Sequence, residues 1–221
     1  GEAGEFQGVG TSCGSADCPQ PPADPPDNDN CEDAIPAVDG DNPFSTDGAT
    51  TDGPVDGAAG PCGDDFVGNN DVWFDYTVTC DGFLNITMCE DCLFDTTLQV
   101  YHGSSCELGE QVACGDDDCG TVGGTSQVNL CAVVAGTQLK IRVGSWNDGT
   151  LDPVTGSATL TITCSTENHD CCDPVGVDGC PGCSDSEVET CVCDLDPFCC
   201  DVSWDEACVS FGELFCGLEC P

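Results

Sequence analysis

Basic residues are almost missing from this chain. Lys140 and Arg142 stand alone against 42 Asp and Glu in 221 residues, for a formal net charge of −40. Nucleic acid binding needs a cationic footprint that displaces counterions from phosphate, so that class is excluded. Anionic membrane surfaces are excluded by the same sign argument. Histidine is as scarce: His102 and His169 are the whole complement, too few for a Cys/His zinc array or for more than a chance Ser–His or Cys–His pair. Both are expected in solvent, one at a Gly-Ser turn and one in a linker. No apolar run approaches the ~18 residues that cross a bilayer, so no membrane insertion is expected. The chain starts at Gly1 without a basic or apolar leader, the pattern expected of a secreted chain after its signal peptide has been cleaved.

Cysteine is what the chain has in quantity: 23 residues, close to one in ten. That level belongs to oxidised extracellular scaffolds, stapled by disulfides. The expected bridging residues are Cys31, Cys62, Cys80, Cys89, Cys92, Cys106, Cys114, Cys119, Cys131 and Cys164 in one stretch, and Cys171, Cys172, Cys180, Cys183, Cys191, Cys193, Cys199, Cys200, Cys208, Cys216 and Cys220 in another. Cys13 and Cys18 precede both. Connectivity does not follow from sequence. The first stretch holds ten and can pair internally; the second holds eleven. One of its cysteines must therefore stay free, reach the N-terminal arm, or leave the molecule for a covalent partner. The C-x-x-C and C-x-C spacings at Cys89/Cys92, Cys180/Cys183 and Cys191/Cys193 lack a thioredoxin-like context and read as structural bridges rather than redox centres.

The composition changes twice along the chain. Residues 1–30 are rich in Gly, Pro and Asp and contain PQPPADPPD, which runs extended. Within this arm Phe6 and Val9 alternate weakly enough to add as a strand to a neighbour's sheet edge. The alternative is an arm folded onto its own domain. Residues 31–165 read as an antiparallel β-sandwich, jelly-roll-like, in which short period-2 runs recur between Gly- and Asp-rich turns: 71–80, 82–89, 96–102, 126–134, 137–146 and 156–164. Phe74, Tyr76 and Val78 form one buried face; Leu139, Ile141 and Val143 form another.

Residues 166–221 form a small cysteine-rich, partly helical module. Capping boxes at Ser184–Glu187 and Ser203–Glu206 predict two short helices. The pattern C-C-D-x4-[D/E]-x-C occurs at 171–180 and 199–208, which suggests a degenerate repeat. Apolar content is too low for a core of its own, so disulfides at ~2–4 kcal/mol each must hold it. The fold class is thus mainly β with an extended arm and a stapled module.

The run NDNCEDAIP (28–36) followed by DVWFDYTVTC, FDTTLQVYHG, VACGDDDCG, LKIRVGSW and SATLTITC resembles the pre-peptidase C-terminal type of β-sandwich module. It is most similar to the cysteine-rich versions in secreted proteins of planctomycete-like environmental bacteria. The segment ETCVCDLDPFCCDVSWDEACV (189–209) resembles a Cys-rich piece of the same kind of protein. The resemblance implies an extracellular, non-catalytic accessory module that sometimes binds calcium. It implies no ligand, and no peptidase domain is expected within these 221 residues.

Calcium needs six to eight oxygens, and several loops offer them: Asp27/Asp29 with Glu32-Asp33, Asp64-Asp65 with Asn69 to Asp71, Asp95, and Asp116-Asp117-Asp118. No EF-hand spacing occurs. Acidic turns of the resembled family point to Asp95 with Asp116, Asp117 and Asp118 as the calcium ligands, against the alternative of turn-forming, solvating aspartates. Asn85 opens a glycosylation sequon in mid-strand. Trp73 or Trp146 exposed on the sandwich would favour glycan binding. The expected function is that of a secreted structural protein, not an enzyme. It is read as a subunit of an extracellular filament or surface assembly, joined to copies of itself through the arm, strand pairing and disulfides. The alternative is an adhesion or accessory module for a polysaccharide or protein ligand; a disulfide-rich hydrolase or inhibitor is the third class.

Overall fold

The computed structural model describes residues 23–53, 68–90, 92–108, 110–119, 124–146, 154–172, 174 and 180–220. Phe6, Val9, Cys13, Cys18 and Cys62 lie outside them.

Two sheets face one another. The first carries β1 (Ile35–Pro36), β3 (Gly68–Thr77), β8 (Gln138–Trp146), β5 (Thr96–His102) and β6 (Gln111–Gly115), in that spatial order. The second carries β2 (Gly40–Ser45), β9 (Ser157–Ser165), β4 (Gly82–Thr87) and β7 (Gln127–Val133). All pairings are antiparallel except β1 with β3. The expected β-sandwich is thus present. Its six predicted strands match β3, β4, β5, β7, β8 and β9 with ends shifted by a few residues, while β1, β2 and β6 were not predicted. GDNPFS in β2 hides its alternation behind a proline, which only an edge strand tolerates.

Between the sheets, Phe74, Tyr76, Leu98, Val100, Leu139, Ile141 and Val143 of the first meet Phe44, Leu84, Ile86, Val128, Leu160 and Ile162 of the second. Burying each such side chain contributes ~1.5–3 kcal/mol.

The far face of the first sheet is not wet, as simple alternation implies, but covered. Trp73 and Tyr101 pack there with Cys31, over which the Cys31–Cys106 disulfide closes. Trp73 is 1% exposed, so it offers no platform. Both basic side chains lie in this layer: Lys140 pairs with Asp75 at 2.7 Å and Arg142 with Asp71 at 2.5 Å. Arg142 also donates to Gln99 Oε1 at 2.7 Å and stacks 5.7 Å over Trp73. Asp52 accepts from Trp73 Nε1 and from the Cys31 amide. The end of the arm belongs to this layer as well. Asn28 and Asp29 are buried, Asn28 bonding Trp73 and Asp29 bonding Thr50. Those side chains satisfy backbone groups of β3 and the 49–53 loop.

The C-terminal module holds three helices rather than two: α1 (Ser186–Leu195), a short α2 (Phe198–Asp201) and α3 (Glu206–Phe215). Asp185 and Asp205, not the preceding serines, are the N-caps, each accepting two backbone N–H groups. An ionised carboxylate is the stronger acceptor and also faces the positive helix end. Val188, Val192, Trp204 and buried cystines form a small core; Trp204 Nε1 donates to the Cys171 carbonyl at 3.1 Å.

Nine disulfides join described residues, and the pairing corrects several expectations. Cys80–Cys164 and Cys89–Cys119 lie within the sandwich, and Cys114 is also bonded. Cys171–Cys183, Cys172–Cys220, Cys191–Cys216, Cys193–Cys200 and Cys199–Cys208 hold the module. Cys131–Cys180 joins the two. The odd cysteine of the module thus reaches the sandwich, a destination the parity argument had not considered. Parity then leaves one cysteine over on the sandwich side, and among the described residues Cys92, which was expected to bridge, is free. The 171–180 and 199–208 repeat does not extend to pairing, since Cys199 closes on Cys208 while Cys171 and Cys180 go to different partners.

Candidate functional site: an acidic loop cluster at one end of the sandwich

The loop before β5 brings Asp95 to the loop after β6, which carries Asp116 to Asp118. Thr96 fixes the approach: its N–H donates to Gly124 O at 2.7 Å, and its hydroxyl and carbonyl engage Ser126. The Trp146 amide donates to Asp95 O, and Cys89–Cys119 ties the acidic loop back to the end of β4. Asp117 and Gly124 both take left-handed φ, 59° each. A Cβ on Gly124 would collide with the Asp95 and Asp117 carboxylates, so glycine lets them converge.

Carboxylate oxygens of Asp95, Asp116 and Asp117 lie within 4.8 Å of one another. Asp95 Oδ1 and Asp116 Oδ1 are buried atoms without a hydrogen-bond partner. Burial, with Asp117, Asp95 and Asp118 adding repulsion, pushes the Asp116 carboxyl up to about 6. Burial and then Asp117 raise Asp95. These three carboxylates converge away from Lys140 and Arg142 and could hold a cation; two oxygens across a calcium ion would stand roughly 4.6–5.2 Å apart, twice the usual bond length. Asp118 is raised by burial but turns aside, accepting from the Gln127 amide at 3.3 Å. Of the four residues named from sequence, three converge and Asp118 braces the loop. The orphaned oxygens and Gly124 were not legible beforehand, because they depend on the meeting of two loops.

Other oxygen-rich stretches divide. Asp71 is consumed by Arg142 and the Asp52 and Gly53 amides, and Asp29 by Thr50. Cys92 is half-buried near Asp95; burial, and to a lesser degree the Asp95 charge, raises its thiol. Asn85 points from the outer face of β4 and donates to Asn129 at 2.8 Å. His102 is exposed, whereas His169, expected in solvent, is 7% exposed and packs between Phe83 and Trp204. Trp146 is 39% exposed. Among the described residues no helix is long and apolar enough to cross a membrane.

No family model matches the chain, and no curated protein does. Among solved structures, the pre-peptidase C-terminal domain of a collagenase from Bacillus anthracis overlaps it with a TM-score of 0.35 and 12% identity, covering 59% of this chain and 94% of that one. It is the module type that the sequence motifs resemble, but the superposition is too loose to add to the argument.

Proposed function

We propose that the chain is a non-catalytic, secreted structural or adhesive module whose sandwich is stiffened by calcium. The observation that carries the reading is the Asp95–Asp116–Asp117 cluster, with two buried oxygens that lack partners. A fold held by disulfides suits an oxidising exterior, where calcium is plentiful enough for a site of modest affinity. Both Lys and Arg side chains are internal, so neighbouring molecules present no basic side chain to one another. Divalent ions or salt must then offset the repulsion between copies.

The finer reading is a subunit of an extracellular filament or surface assembly, contacting copies of itself through the N-terminal arm. The arm's composition supports it. The internal Cys131–Cys180 bond removes the argument for a covalent link through the C-terminal module. Calcium titration of the intact chain tests the first part: binding heat and a raised melting temperature are expected, and their absence would overturn it. Light scattering and electron microscopy with calcium, on the intact chain and on a chain lacking residues 1–22, test the second. Fibres from the intact chain only are expected, and a monomer under all conditions leaves the accessory module instead.

A further inference from the structure

The outer face of the second sheet is unlike the rest of this surface. In β4, β7 and β9 the outward positions are uncharged and, Phe83 and Cys131 apart, hydrogen-bonding. Register places Asn129, Asn85 and Thr163 side by side in one row, and Gln127, Thr87 and Thr161 in the next. The linker beyond β9 folds back over this face. With Phe83, His169, Asp170 and Pro174 it closes a cleft of about 410 Å³ over the first row. A second hollow, about 310 Å³, continues along the sheet and shares Gln127 with it. The volume lies in the range of small-molecule sites.

His169 shapes the wall of the cleft. Its ring is buried, wedged 5.9 Å from Phe83 and 6.5 Å from Trp204. Nδ1 lies 3.0 Å from the Asp170 carbonyl, which can only accept, so Nδ1 carries the proton. Nε2 has no partner and almost no accessible surface, so the ring serves the cleft as a packed wall rather than as a hydrogen-bonding contact. Asn85 spends one N–H on Asn129, leaving Asn85 Oδ1 and Asn129 Nδ2 as an acceptor and a donor beside it. Phe83 supplies the apolar wall.

We propose that this cleft binds a neutral oligosaccharide. Alternating donors and acceptors match hydroxyl groups, which do both. The Phe83 ring suits the C–H face of a sugar, and the length of the two joined hollows suits several units rather than one. A chain of net charge −40 repels acidic glycans at long range, and the hollows add Asp170 in the first and Asp41 and Glu90 in the second. The site stands on residues remote from the acidic loop cluster and goes beyond the reading above, giving an adhesive module its ligand.

The test is a ¹⁵N-HSQC titration and calorimetry of the calcium-loaded, monomeric full chain. The probes are β-1,4-glucose, β-1,4-mannose and β-1,3-glucose hexamers, with a galacturonate hexamer as the acidic comparison. Shifts centred on Asn85, Asn129 and His169 are expected with at least one neutral hexamer. Phe83→Ala, which removes the apolar wall of the cleft, should weaken binding about tenfold. Asn129→Ala, an outward residue of an edge strand, should do the same while its spectrum stays folded. No shifts with any neutral hexamer at millimolar concentration, unchanged binding by both variants, or equal binding of the galacturonate hexamer would overturn the proposal. These readouts require neither assembly nor calcium heat, so failure here and failure of the structural reading are separable.

Discussion

Cys131, on the edge strand β7, is bonded to Cys180, the third cysteine of the C-terminal module. The register between β4 and β7 slips beside it, and Ala132 takes a left-handed φ of 53°. This bulge accompanies the exit of Cys131 from the regular ladder. The bond ties the sandwich to the module covalently, and within the module the Trp204 amide holds the Cys180 carbonyl at 3.0 Å. Replacing both partners, Cys131→Ser with Cys180→Ser, should cost ~2–4 kcal/mol. Calorimetry should then resolve a separate, earlier melting of the module. One undivided transition at the parent temperature would mean that noncovalent contact alone holds the two together.

A second prediction concerns the covered face of the first sheet. Arg142→Met leaves the buried Asp71 carboxyl without its counter-charge, and urea unfolding should show a loss of ~3–5 kcal/mol. Adding Asp71→Leu should recover only part of this. Asp71 also accepts from the Asp52 and Gly53 amides, which the double variant leaves unmet.

The acidic loop sets a pH dependence whose sign is fixed by the raised carboxyls. Asp116 is held up to about 6 against an ordinary 3.8, so in this window the folded chain binds more protons than the unfolded one. Calcium-free stability should therefore fall as pH rises through about 4 to 6. Asp116→Asn should flatten that fall and raise the calcium-free melting temperature at pH 7, while abolishing the calcium-induced shift. A wild-type profile flat across this range would contradict the cluster's geometry.

Cys92 should resist alkylation in the native state. Burial raises its thiol, which disfavours the reactive thiolate. Mass spectrometry of the Cys92 peptide after iodoacetamide at pH 7 should show slow labelling that becomes fast in denaturant. Rapid native labelling would show a thiol more open than its place beside Phe94 permits.

Gly124→Ala combines strain at a left-handed φ with collision against Asp95 and Asp117. A loss of ~1–3 kcal/mol is expected from thermal unfolding, with weaker calcium affinity because the carboxylates are forced apart.

Much of the sandwich was legible because alternation is a local property. Leu139, Ile141 and Val143 advertise a buried face whatever pairs with them. Strand β2 was not legible, since Pro43 breaks the pattern, nor was β6, which is only five residues long. Of the acidic cluster, the clustered aspartates were visible and their convergence was not. Asp118 and Asp117 are adjacent in sequence, yet one braces an amide and the other faces Asp95. His169 illustrates the opposite error: linker position suggested solvent, and the fold-back of the linker buried it.

Composition alone determined the covalent character of the molecule, its acidity and the parity of its cysteines, because counts and charge do not depend on fold. Parity demanded that one cysteine of the C-terminal module find a partner outside it or stay free. Only the tertiary structure decided that the partner is Cys131, because a disulfide requires two Cβ atoms within bonding reach. That proximity is made by residues 49 positions apart, on elements whose own sequences carry no trace of one another.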